Sequence, residues 1–207
     1  MLYHTLGKPG DEEEDDEVSG LIDSAKALVT YFKQANLQSL LPKTLKASVE
    51  TRWNSLHTML DSIHSQYAQV RAVLEERGEQ HRLDDLSPES LGEMVSFLER
   101  FREATKAMEA SKTPTLHLTA VWLGRLRTHL QPDPTDSPTL SLLKRKSLPI
   151  LNEKLELHLL HKMAVFLHPK LKSLKLLGDQ DVATVHGHAR HLVQGKNNCW
   201  FLLLKMF

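Results

Sequence analysis

Apolar residues recur every three or four positions along most of the chain, and that period restricts it to helices. Leu21, Ile22, Ala25, Leu28, Val29 and Phe32 form one helical stripe, closed by a loop at Pro42. A second helix is expected from near Arg52, because Trp53, Leu56, Leu60, Ile63, Tyr67, Val70 and Leu74 recur at helical spacing until Gly78. The polar stretch from Gly78 to Leu86 reads as a loop. Ser87-Pro88-Glu89 then supplies an N-cap, a first-turn proline and an acid at the positive helix end. Met94, Val95, Leu98, Phe101, Thr105 and Met108 carry that helix to about Ser111. Thr113-Pro114 restarts the chain, and Leu116, Ala120, Leu123, Leu126 and Leu130 mark a fourth helix. Gln131 to Pro138, with three prolines and two aspartates, is a break. A last long helical region runs from Thr139 to about Leu167, and Pro149 should kink or divide it. No segment alternates apolar and polar residues with β-branched enrichment, so no sheet is expected. The fold class is all-α, an irregular array of five or six helices without internal repeats.

A length of 207 residues allows one domain with tails. The lone Cys199 excludes a disulfide framework and a multi-cysteine zinc module, and it suits a reducing compartment. The apolar runs, Phe201 to Leu204 among them, are far short of the roughly 20 residues that cross a bilayer. An acidic run stands where a signal peptide would be basic. Composition thus points to a soluble intracellular globular protein. The 26 basic and 26 acidic residues balance overall, yet they are unevenly spread. Residues 1–17 hold seven acids, Asp11 to Glu17, against Lys8. That segment is expected to be solvated and disordered, either a plain linker or an acidic arm that competes with a polyanion. Residues 138–177 hold Lys144, Arg145, Lys146, Lys154, Lys162, Lys170, Lys172 and Lys175 against Glu153 and Glu156. These cations are interleaved with leucines, so they belong to packed helices. The stretch is either a solvated face or a surface that attracts phosphates through counterion release.

Catalytic signatures are missing from the sequence. It has no glycine-rich phosphate loop, no GxSxG elbow and no HExxH. His186-x-His188-x-x-His191 has metal-ligand spacing but no evident cysteine or carboxylate partner, so no metal or cofactor is expected. Glu75-Glu76 and Asp84-Asp85 lie in polar stretches and read as surface charge.

The most distinctive string is Thr51-Arg52-Trp53-Asn54-Ser55, followed by Met59-Leu60. Arg52 and Trp53 offer a planar cation beside a large aromatic face, a pairing that suits an unpaired base and its phosphate. They equally suit a core tryptophan with a surface neighbour. Val49 to Ser55 with Met59-Leu60 resembles the "TRWNS…ML" signature of hAT-family transposases and the host proteins derived from them. Further agreement follows in order. Leu21 to Phe32 is similar to the family's preceding helix, Phe97 to Thr105 to its "L…F…AT" helix, and Thr113 to Leu116 to its "PT(L)" restart. Ala164 to Lys172 resembles "A.fLdPr.K", with His168 where an aspartate is usual. The likeness spans about residues 18–177.

The resemblance implies a helical insertion domain of an RNase H-like transposase, in which the tryptophan of the Arg-Trp pair assists DNA hairpin handling. By that implication the sheet, the two aspartates and the glutamate of the catalytic core lie outside this chain, so it is not expected to be an enzyme. No Cys-x-x-His or BED-type zinc finger is recognisable. Residues 178–207 match nothing in the family and are expected to form a flexible, alternative or truncated tail. The implied function is that of a non-catalytic nuclear fragment bound to DNA or chromatin, weakly and without sequence preference. A role in transcriptional regulation goes with that reading; the alternative is a helical protein-interaction scaffold. Nuclear proteins are the further partners, with oligomerisation through regions outside this chain and no membrane contact. The DNA-facing candidates are Arg52, Trp53, Lys144, Arg145, Lys146, Lys170, Lys172 and Lys175.

Overall fold

A computed structural model describes the backbone of residues 12–49, 53–109 and 114–204, and the side chains of 18–49, 54–109 and 114–194. Among these residues there are eight α-helices, two short 3-10 turns and no sheet strand, so the chain is all-α. The helices are α1 (Glu12–Gln34), α2 (Trp53–His64), α3 (Tyr67–Glu75), α4 (Pro88–Met108), α5 (Leu116–His129), α6 (Pro138–Lys154), α7 (Leu159–Leu167) and α8 (Asp179–Leu204). Two compact units result. The first comprises Met1–Glu103 and His129–Ile150, the second Ala104–Thr128 and Leu151–Phe207.

In the first unit the stripe read from the sequence is the core of α1: Leu21, Ile22, Ala25, Leu28, Val29 and Phe32 are all buried. Asn36, in the left-handed region at φ 54°, turns the chain after α1; asparagine tolerates that conformation better than most residues. The segment that follows is extended, and side chains satisfy much of its backbone. Gln38 Oε1 accepts from Leu45 N–H at 2.7 Å, and Ser62 Oγ accepts from Lys46 N–H at 3.0 Å. Buried Gln66 accepts from Lys43 N–H at 3.3 Å, then donates to Lys43 O at 2.9 Å and Ser62 O at 2.8 Å.

The continuous helix expected from Arg52 to Gly78 is therefore two helices. The break falls at Ser65-Gln66, where the Gln66 amide is turned to the extended segment. Gly92 permits close packing of α4, since a Cβ there would meet His64 Nε2 at 3.1 Å. The cap at Ser87 forms as expected, its hydroxyl accepting from Ser90 N–H at 3.0 Å.

The second unit has a smaller core. Ala120, Val165, Leu174 and Val185 are buried, with Leu157, Met163, Phe166, Leu171, Leu177 and Val182 packed on them. The region expected to run from Thr139 to Leu167 is split between α6 and α7 by residues 155–158. Pro149 does not divide α6; it lies on an exposed face, where water can serve the carbonyl that loses its amide partner. Helix α8 occupies the stretch read from sequence as a tail. Its Val185 is fully buried, while Leu192 and Val193 are exposed. The acidic run expected to be disordered enters α1 from Glu12 onward, and residues 1–11 lie outside the described residues.

Gln66→Ala removes the buried amide that closes the Lys43 backbone and takes that partner from the Lys43 N–H and C=O and from the Ser62 C=O. A loss of about 2–3 kcal/mol of unfolding free energy is expected, measurable by urea titration. A loss below about 0.5 kcal/mol would contradict this role.

Candidate nucleic-acid interface

Five of the eight candidates belong to the first unit and three to the second. Arg52 lies outside the described residues, and Trp53 opens α2 with a side chain that also lies outside them. What the structure does fix is their support. Ser55 of the same motif accepts from Val49 N–H at 2.7 Å and donates to Val49 O at 3.0 Å, tying the chain entering the motif to the first turn of α2.

One turn further on, a cleft of about 450 Å³ is lined by His57, Thr58, Asp61, Val95, Ser96, Glu99 and Arg102. Buried His57 places Nε2 2.7 Å from Glu99 Oε2, and Arg102 holds the same carboxylate in two bonds of 2.6 and 2.5 Å. The His57–Glu99 contact thus links α2 to α4. Nothing in the helical period marked His57 or Glu99, because each reads as one more residue between core positions. A second cavity, of about 520 Å³, has Asp84, Asp85 and Glu93 in its wall, the wrong sign for a polyanion.

Lys144 differs from the other candidates in its surroundings. It is 7% exposed, and its ammonium donates to both carboxylate oxygens of Asp136, at 2.7 and 2.9 Å. That pair closes the proline-rich break: Asp136 also accepts from Asp133 N–H at 2.8 Å, and Asp133 accepts from the N–H and hydroxyl of Thr135. The Lys144 hydrogen bond holds the Asp136 carboxyl below the usual carboxylate range. Ser137 caps α6, accepting from Leu140 N–H at 3.1 Å and donating to Glu93 at 2.6 Å. Arg145 is exposed and Lys146 half-buried on the same helix. Of the other cations in the basic run, Lys154 pairs with Glu153 at 2.7 Å and Lys162 with Asp181 at 2.6 Å.

Lys170, Lys172 and Lys175 are placed differently. They lie on the strap 168–178 between α7 and α8, all three are exposed, and no carboxylate pairs with them among the described residues. Three successive turns shape the strap, with the N–H groups of Leu171, Leu174 and Leu177 donating to the carbonyls of His168, Leu171 and Leu174, each at 2.9 Å. Every third residue therefore points inward as a leucine, and the lysines between them face solvent. Leu174 adopts φ 56°, a conformation costing a leucine about 1 kcal/mol. Its burial to 1% exposure, worth about 2 kcal/mol, offsets that cost.

At the head of the strap His168 stacks on His117 of α5, with centroids 4.3 Å apart. Burial, and then the neighbouring His168, push the His117 imidazole below its ordinary range. Among the described residues no three His, Cys, Asp or Glu side chains converge as a metal site would require, and no helix is long and apolar enough to cross a membrane.

In sequence the chain is related to a transposase and to zinc finger proteins. It is 30% identical over 177 residues to the transposable element Hobo transposase of Drosophila melanogaster, covering 84% of this chain and 27% of that protein. Zinc finger protein 618 of mouse and of human each show 26% identity over 120 residues, which is 58% of this chain and 13% of theirs. The chain thus spans about a quarter of the transposase's length and about an eighth of the zinc finger protein's. No family model matches it.

Lys144→Met keeps the aliphatic stem but leaves Asp136 buried without its cation, and a lower thermal midpoint is expected. Because pairing depresses the Asp136 carboxyl, its contribution is present above the unfolded carboxylate value and lost as pH falls below about 4. Circular-dichroism melts from pH 7 to pH 3 should show a smaller acid-dependent loss in the variant than in the parent protein. Equal losses would remove the pair from the account.

Proposed function

We propose that this chain is a non-catalytic, transposase-derived module that associates with DNA or chromatin in the nucleus. The observation that carries this reading is the strap, where Lys170, Lys172 and Lys175 are exposed together without acidic partners among the described residues. Such a surface gains its binding energy by releasing counterions from phosphates, so it holds a duplex without reading its bases. Arg145 and Lys146 of α6 add charge of the same sign, and Arg52 with Trp53 supplies a stacking pair for an unpaired base. The likeness to Hobo transposase supports DNA as the polyanion. A role in transcriptional regulation belongs to the same reading, as does the absence of strand cleavage. Incubation of supercoiled plasmid with the purified chain and Mg²⁺ or Mn²⁺ should leave it intact, and nicking would overturn the non-catalytic assignment.

A second reading has its own observation. The second unit exposes Leu160, Leu167, Leu176, Leu192 and Val193, apolar surface that a phosphate backbone does not use. A protein-interaction scaffold would use it, and partners retained after nuclease treatment of a nuclear extract would favour that function.

The deciding measurement is fluorescence anisotropy with a 20-base-pair duplex across a salt series. The triple variant Lys170→Gln, Lys172→Gln, Lys175→Gln should bind more weakly to every sequence. The slope of log K against log salt should fall by about 2 to 3. An unchanged slope would exclude the strap as the contact surface.

A further inference from the structure

Helix α7 is held by imidazoles at both ends. At its N-terminus His158 Nδ1 accepts from Leu160 N–H at 3.3 Å, and His161 Nδ1 accepts from His158 N–H at 3.2 Å. The reciprocal pattern is a capping box, a motif usually built from Ser or Thr with Glu or Gln. Those side chains accept hydrogen bonds throughout the neutral and mildly acidic range. An imidazole nitrogen accepts only while it carries no proton, and an imidazolium at the positive end of a helix is unfavourable besides. At the other end, His168 follows α7 as its C-cap with its ring stacked on His117, and its Nδ1 is buried without a hydrogen-bond partner. Two imidazoliums face to face would repel each other across this stack.

The surrounding charges do not relieve this. Lys162 of α7 is bonded to Asp181 of α8, His186 of α8 meets Phe166 edge-on, and the next titratable group along the strap is Lys170. Among the described residues no carboxylate lies in an ion pair with His117, His158, His161 or His168. The helix so held supplies Val165 and Phe166 to the small core that also seats Leu171, Leu174 and Leu177 of the strap.

We propose that α7 and the lysine strap form a pH-operated element. Neutral imidazoles hold the helix and keep the strap seated, and proton uptake in mild acid releases both. The proposal rests on the reading of the strap as the polyanion-binding surface and adds its regulation. The sign is distinctive. A basic surface ordinarily binds nucleic acid more tightly as histidines become charged, whereas here acid unseats the residues that present the lysines. The direction for His117 agrees, since burial favours its neutral form and that contribution is present at neutral pH and lost as pH falls.

Hydrogen-exchange mass spectrometry on the full chain at pH 7.5 and pH 5.5, corrected for intrinsic rates, tests the device directly. Peptides covering α7 should lose about tenfold in protection relative to those covering α2, the worth of roughly one cap. The double variant His158→Ser, His161→Gln carries a box that does not titrate in this range, and it should keep its protection at both pH values. His117→Phe removes one of the two stacked bases and should lessen the acid loss from the other end of the helix, so the device stays testable if the double variant folds poorly.

Equal corrected protection of the parent protein at both pH values would overturn the proposal, as would an acid loss undiminished in the variants. Anisotropy with the same duplex should show the parent binding several-fold more weakly at pH 5.5 and the double variant binding no more weakly. Binding by the parent that strengthens in acid while α7 loosens would also overturn it. Absence of binding at either pH would sink the polyanion reading alone, with exchange still deciding the device.

Discussion

With no sheet strand among the described residues, backbone groups outside the helices rely on local turns and side chains, and this requirement sets where the functional candidates stand. The extended segment before α2 is served by Gln38, Gln66, Ser62 and Ser55. The break before α6 is closed on Asp133 and Asp136, with Lys144 beneath. The strap after α7 serves itself, by three turns in sequence. Each solution fixes a different residue set. The first places the Trp53 turn of α2, the second withdraws a lysine from the surface, and the third puts three lysines outside.

The helical stripes were legible because one physical period wrote them. The α1 stripe and the Ser87 cap are local patterns, and the structure keeps both. What was not legible depended on partners distant in sequence. Residues 53–74 carry an unbroken helical period, and nothing local shows that the Gln66 amide turns to a segment 23 residues earlier. The second unit hid for a similar reason. Among the described residues of α8, Val182 and Val185 reach the core between histidines and polar residues, too sparse a stripe to distinguish from a tail until Leu174 and Val165 are placed beside it.

Charge was the most misleading signal. The basic run reads as one patch in sequence, yet its members meet four different ends. Lys144 is desolvated against Asp136, Lys154 and Lys162 are spent on neighbouring acids, Arg145 and Lys146 ride on α6, and only the strap lysines stand clear of carboxylates among the described residues. A buried lysine contributes nothing to counterion release, because no phosphate reaches it. Counting cations along the chain therefore overstates a polyanion surface, and the useful count is of cations that are both exposed and unclaimed.

The strap also shows why such a surface cannot be separated from the core beneath it. Its lysines face outward only because leucines three apart face inward, and the middle leucine holds a backbone conformation that its burial must sustain. A core this small has little stability in reserve, so whatever weakens α7 weakens the seating of Leu174 and with it the orientation of the charges. Imidazoles at both ends of that helix place this dependence on its two caps. In a chain of balanced net charge, affinity for a polyanion then depends less on how many cations are present than on whether three leucines remain buried.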